Sequence, residues 1–290
     1  MNLFDFLVQP FAELAFMRKA LAGSFVLSAS ACPVGVFMML RRMSLAGDAM
    51  SHAILPGVAA AFLIFGISIL PMTLGGLLAG LTVALFAGVV SRITVLREDT
   101  SLAAFYLISL ACGVALVSVK GSSVDVVHIL FGSVLALNNQ SLVLIAGVAS
   151  VTIFVLVLLW RALVAECLDP LFLRAVSVFG PIAHYSFLIL VVLNLVAGFH
   201  ALGTLLSVGL MILPAAAARF WAQRVETMCL LAVAIGMAAS YVGLLLSFYL
   251  GMASGPAIVL TAGAVYIASL FLSKQGLLFQ QRRPRRHKAA

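Results

Sequence analysis

The chain has 290 residues, of which 64% are hydrophobic and 9% charged, and its mean hydropathy is +1.23. Soluble domains carry about 25% charged residues, so this balance excludes a water-soluble enzyme. The net charge of +8 does not point to nucleic acid, because the basic residues lie in the C-terminal tail and at the ends of apolar runs, where they set orientation or meet anionic lipid.

Residues 1–19 do not have the order of a cleaved signal. Asp5, Pro10 and Glu13 interrupt the apolar part and Arg18 and Lys19 close it, so the segment is expected to be amphipathic and to lie on the membrane surface. Apolar spans follow at 20–40, 44–66, 72–91, 102–119, 141–160, 182–199, 203–218, 228–250 and 257–273. Each approaches or exceeds the roughly 18 residues that cross a bilayer, and no alternation recurs at the spacing of a barrel. The expected fold is all-α, a polytopic helical membrane protein in one membrane domain over 1–273. The span at 203–218 is short and carries Pro214, which suggests a broken helix and leaves the count at eight or nine. A basic tail, 274–290, is expected to be disordered and to meet lipid.

With the C-terminus in the cytoplasm, Arg41, Arg42, Arg92, Arg97, Arg161, Arg174, Arg219, Arg224 and six tail residues lie inside. That is fourteen of the 17 Lys and Arg, and the positive-inside rule selects this orientation. The four cysteines are dispersed with no CxxC, so neither a disulfide frame nor a zinc knuckle is indicated. The methionines are scattered too, which does not support a thioether path for copper.

The stretch RRMSLAGDAMSHAILPGVAAAF, residues 41–62, places Asp48 and His52 four residues apart within a span. Counted from Ser44, the expected N-cap, they sit about 6 Å and about 12 Å into the helix. Positions i and i+4 share a face. Ionisable groups at such depth are costly unless they meet protein, water or an ion. Carboxylate with imidazole suits a divalent metal such as zinc or manganese. The same pair can relay protons, as in a proton-coupled secondary transporter, or bond to each other and tie helices together. Ala46, Gly47, Ala49, Ser51, Ala53 and Gly57 permit close helix approach, and Pro56 bends the helix and frees the carbonyl of His52.

Further on, RALVAECLDPLFLRAVSVFGP (161–181) has helical spacing broken at Asp169-Pro170. It fits either a surface helix or a segment that receives force from a cytosolic motor. The chain has no GxxxxGK[ST], so it does not bind ATP in a phosphate loop, and no HExxH, so a zinc protease is not supported.

RRMSLAGDAMSHAILPG resembles the signature of permeases in the zinc/manganese/iron family of ATP-binding-cassette importers, the ZnuB-like proteins. EDTSLA (98–103), VDVVHILFGSVLAL (124–137), LGTLLSVGLMILPAAAARF (202–220) and SGPAIVLTAG (254–263) follow in the family order, so the resemblance covers nearly the whole chain. It implies a non-enzymatic subunit of a multi-pass importer in the bacterial inner membrane, working as a homodimer. The implied partners are a cytosolic ABC ATPase and an extracytoplasmic metal-binding protein. It implies Asp48 and His52 on the metal path, with zinc favoured over manganese and iron as cargo and no permanently bound cofactor. It also implies an ATPase contact within 166–181, carried by Glu166, Asp169, Pro170, Arg174, Ala175 and Ser177. Relatives often show D-E and a later A-x-G there. Here Pro170 follows Asp169 and Ser177 replaces the glycine, which suggests tuning to a particular ATPase. His200, at an outer helix end, and His128, beside Asp125 in an outer loop, are further candidates for the metal path, although each reads more readily as an ordinary interfacial or packing residue. His184 is expected at the inner surface and His287 belongs to the tail.

Overall fold

The computed structural model describes residues 3–66, 68–95, 98–119, 137–168 and 179–273. Among the described residues the chain forms twelve α-helices and no strand. In chain order they are α1 Leu3–Glu13, α2 Ala15–Leu40, α3 Ala46–Ala53, α4 Leu55–Phe65, α5 Ile69–Ile93, α6 Glu98–Val119, α7 Asn139–Leu158, α8 Trp160–Leu168, α9 Phe179–Leu202, α10 Thr204–Arg219, α11 Val225–Leu250 and α12 Ser254–Leu272. Eight segments, with α3 and α4 taken together, are long and apolar enough to cross a membrane, and α10 is a shorter apolar helix.

Helices dominate because hydrocarbon offers no partner to a bare peptide group, so each segment must satisfy its own backbone. The inward faces are made of small residues. Gly35 of α2 lies so close to α10 that a Cβ there would meet the Met211 carbonyl oxygen at 1.7 Å. Gly57 of α4 and Gly75 of α5 face each other in the same way, as the small-residue run after Asp48 suggests. Two helices are the most enclosed, α2 and α9, with 67% and 72% of their apolar windows buried. Around α2 pack α7, α10 and α11; around α9 pack α5, α7 and α10. At mid-helix Asn194 of α9 donates to Thr152 Oγ1 of α7 at 2.8 Å, a polar tie inside the apolar core.

Several boundaries differ from the sequence reading. α2 begins at Ala15, so Arg18 and Lys19 are helical, with the Arg18 amide donating to the Leu14 carbonyl. Long basic side chains reach from a helix end to the interface, so they need not stop the helix. α1 does not stand apart: Phe11 stacks on Tyr241 with centroids 5.1 Å apart, and the Tyr241 hydroxyl donates to the Leu7 carbonyl at 2.9 Å. α10 runs unbroken through Pro214. What sets it off from α9 is Gly203, at φ 89°, a backbone that suits glycine alone.

The expected span 44–66 is two helices, joined at Ile54. Pro56 sits in the first turn of α4, where its missing N–H is tolerated. The Ala53 carbonyl at the joint accepts from the Ser109 hydroxyl of α6 at 2.9 Å. Ser44 is not the cap of α3. That position falls to Leu45, without a side-chain cap, because a turn fixed by the end of α2 precedes it.

Candidate metal path

Asp48 lies in the first turn of α3 and His52 in the last. Measured from Ala46, where the helix begins, they are about 3 Å and about 9 Å along it. The two side chains converge as the spacing predicts: Asp48 Oδ1 is 3.9 Å from His52 Nε2. The Ser51 hydroxyl, on the same side, donates to the Asp48 carbonyl at 2.7 Å. These three residues line one wall of a groove of about 430 Å³ whose other walls are α10 and α12. Thr204 adds a hydroxyl, and Val208, Ile212 and Val259 make the rest apolar. Tyr106 of α6 lies beside His52, with ring centroids 6.3 Å apart.

The groove is on the outer face of the chain, not sealed between its helices. Asp48 is 70% exposed and His52 45%. Among the described residues no group of three or more His, Cys, Asp or Glu is placed to hold a metal ion. Among the described residues the groove offers one carboxylate, one imidazole and two hydroxyls, which is less than a complete shell for a divalent ion. A carboxylate that faces lipid is unfavourable, so contact with protein or water suits this face better.

His200 lies in the last turn of α9, and its side chain is outside the described residues, as are His128, Asp169, Pro170, Arg174, Ala175 and Ser177. Glu166 is described, and it points inward. Its Oε1 is 3.3 Å from Arg41 Nη2 and 3.4 Å from His184 Nδ1. His184 is not a surface residue: 2% exposed, it also sets Nε2 3.3 Å from Glu98 Oε1. It is buried because α9 begins beneath α8 and the end of α2, where the carboxylates offset its polarity. Arg41 lies over the Phe187 ring at 4.7 Å. With Leu40, Arg42 and Cys167 these groups border a second, polar cavity of about 360 Å³. Burial pushes the Cys167 thiol up to about 11, against a smaller opposing pull from Arg41.

Sequence reading missed this second cluster and Tyr106. The available signals were the arginine pair closing α2 and the acid pair opening α6, each of which reads equally well as an interfacial charge.

The chain matches the model of the ABC 3 transport family over residues 13–273. It is similar to the manganese import system permease protein ScaB of Streptococcus gordonii, 35% identical over 266 residues, covering 92% of this chain and 94% of that protein. The manganese transport system membrane protein MntC of Listeria monocytogenes is 34% identical over 272 residues, covering 93% of this chain and 96% of its own. Among solved structures, PsaBC from Streptococcus pneumoniae in complex with Fab superposes with a TM-score of 0.82 at 30% identity, over 96% of this chain and 99% of that one. A family match over most of the length, relatives above 30% identity and a shared helical architecture agree: this chain is a permease of the ABC 3 transport family.

Proposed function

We propose that the chain carries a divalent transition metal inward across the bacterial plasma membrane, with Asp48 and His52 as ligands on the path. The observation that supports this most directly is the outward-facing groove. An acid and an imidazole, 3.9 Å apart, lie exposed on a face of a membrane protein. Facing lipid they are unfavourable; facing a second copy across a two-fold axis they become half of a site. An isologous contact repeats the same patch, so two copies present two carboxylates, two imidazoles and the hydroxyls beside them. That set completes a shell for a hydrated divalent ion without binding it so tightly that it cannot leave.

Manganese comes before zinc, and iron third. Manganese favours oxygen donors, of which the groove has carboxylate and hydroxyl, and the relatives ScaB and MntC are named for manganese. A separate cytosolic ATPase supplies the energy and meets the chain through 161–181, and an extracytoplasmic binding protein delivers the ion at the opposite end. On this reading His200 and His128 belong to the delivering side, and the distribution of Lys and Arg in the sequence favours a cytoplasmic C-terminus.

The test is ATP-driven uptake of manganese, zinc and iron into vesicles holding the permease with its ATPase and binding protein. Asp48→Asn and His52→Ala are each expected to lower manganese uptake at least tenfold with the complex still assembled. Undiminished uptake in both variants removes the ligand assignment. Uptake by the chain alone, driven by a pH gradient, favours the proton-coupled alternative.

A further inference from the structure

At the end of the bundle where α2 stops, four helices bring ionisable side chains into one largely buried cluster around a polar cavity. Arg41 closes α2, Glu98 opens α6, Glu166 comes from α8, and His184 from the first turns of α9. Arg41, Glu166 and His184 are 9%, 4% and 2% exposed, and Glu98 is 22% exposed. A buried ion pair rarely adds stability over a well-packed apolar pair, so its presence suggests another use.

Two features go beyond helix glue. First, the cluster has more partners than it uses. Arg41 Nη1 is buried without a hydrogen bond, and across the 360 Å³ cavity Glu98 Oε1 also accepts none, its one close contact being the His184 ring at 3.3 Å. Arg41 is engaged with Glu166 and His184, yet a second carboxylate, Glu98, lines the same cavity. Second, Arg41 sits at the hinge of the metal-bearing helix. The Met43 amide donates to the Met38 carbonyl at 2.9 Å and the Arg42 amide to Met39 at 3.1 Å. This is the reciprocal closure that ends a helix on a left-handed residue. That residue here is Arg42, at φ 61°, the one non-glycine with positive φ among the described residues. A side chain in that conformation is strained by about 1–2 kcal/mol and persists only where its surroundings hold it. Four residues later α3 begins, with Asp48 and His52 on it.

We propose that this cluster is the switch that couples the ATPase-facing segment to the metal path. In the state described here Arg41 pairs with Glu166. When the ATPase displaces α8, Arg41 exchanges to Glu98, the strained corner at Arg42 turns, and α3 carries Asp48 and His52 with it. Arg41, Glu98 and Glu166 are positioning residues: they touch no metal and act through α3. The proposal rests on the reading of 161–181 as the ATPase contact and of Asp48 and His52 as ligands.

The experiment measures manganese uptake and ATP turnover together in vesicles holding the full complex, and takes their ratio. A merely structural role lowers both in proportion to the folded complex and leaves the ratio alone. Two variants are used. Glu98→Gln removes the charge of the second partner. Arg41→Met with Glu166→Leu replaces the ion pair by apolar groups, an exchange that folded proteins tolerate. Each is expected to lower manganese taken up per ATP at least tenfold, with the thermal midpoint of the complex near that of the wild type. A wild-type ratio in Glu98→Gln overturns the exchange, whatever the double variant does. Absence of ATP-driven uptake by the wild-type complex overturns the transport reading and the switch together, so the two failures are distinct.

Discussion

Replacing Gly57 by alanine tests whether α4, which follows the helix of Asp48 and His52, is held by direct backbone contact. A Cβ at this position would lie 1.9 Å from the Gly75 carbonyl oxygen, 2.5 Å from its carbon and 2.7 Å from Ala79 Cβ. Ordinary contact begins near 3.4 Å, so α4 and α5 must separate by about 1.5 Å. The obstacle is backbone, which cannot rotate away as a side chain does. Overpacking of this kind costs about 1–3 kcal/mol, and the rigid partner puts it toward the upper end. Alanine in place of glycine returns about 1 kcal/mol of helix propensity, leaving a net loss of about 2 kcal/mol. Gly147 of α7 is the control. A Cβ there meets nothing within 4 Å, so Gly147→Ala gains about 0.5–1 kcal/mol. Thermal unfolding of the purified protein in detergent is expected to place Gly57→Ala below the wild type and Gly147→Ala at or above it. Manganese uptake should fall in Gly57→Ala alone, since α4 abuts the joint that aims His52. A Gly57→Ala midpoint equal to that of Gly147→Ala would refute the close-packing argument.

Ser109→Ala removes the donor to the Ala53 carbonyl at the α3–α4 joint. It is expected to cost about 1 kcal/mol and to lower manganese uptake more than overall stability, read by comparing uptake with the thermal midpoint. Cys167 links stability to pH. Burial raises its thiol from 9.0 to about 11, so the folded state resists ionisation. The stabilising difference is complete below pH 9 and is lost as pH rises toward 11. The midpoint of the wild type should therefore drop more steeply over that range than that of Cys167→Ala, and parallel curves would show that the thiol is not buried as described.

Much of the molecule was legible before folding. Hydrophobic runs are local, and each announces its own helix, so the spans and the all-α class follow directly from residue order. The convergence of Asp48 and His52 was legible for the same reason, because four residues on an α-helix share a face whatever surrounds them. The close approach at Gly57 was signalled by its small neighbours. The start of α3 was not: Ser44 has the chemistry of a cap, but the closure around Arg42 decided where the helix could begin. His184 read as a surface residue because its neighbours in sequence are apolar and interfacial, whereas its partners come from elsewhere in the chain.

Residue order alone thus determined which segments are helices, which two ligand-type side chains lie together, and which family the chain resembles. Only the tertiary structure decided that their groove opens on the outer face of the bundle, and that Arg41 meets Glu166 and His184 across 125 and 143 residues. The physical reason is range. Helical periodicity acts over one or two turns, while the pairing of buried charges depends on which distant helices meet, and that is settled only when the bundle packs.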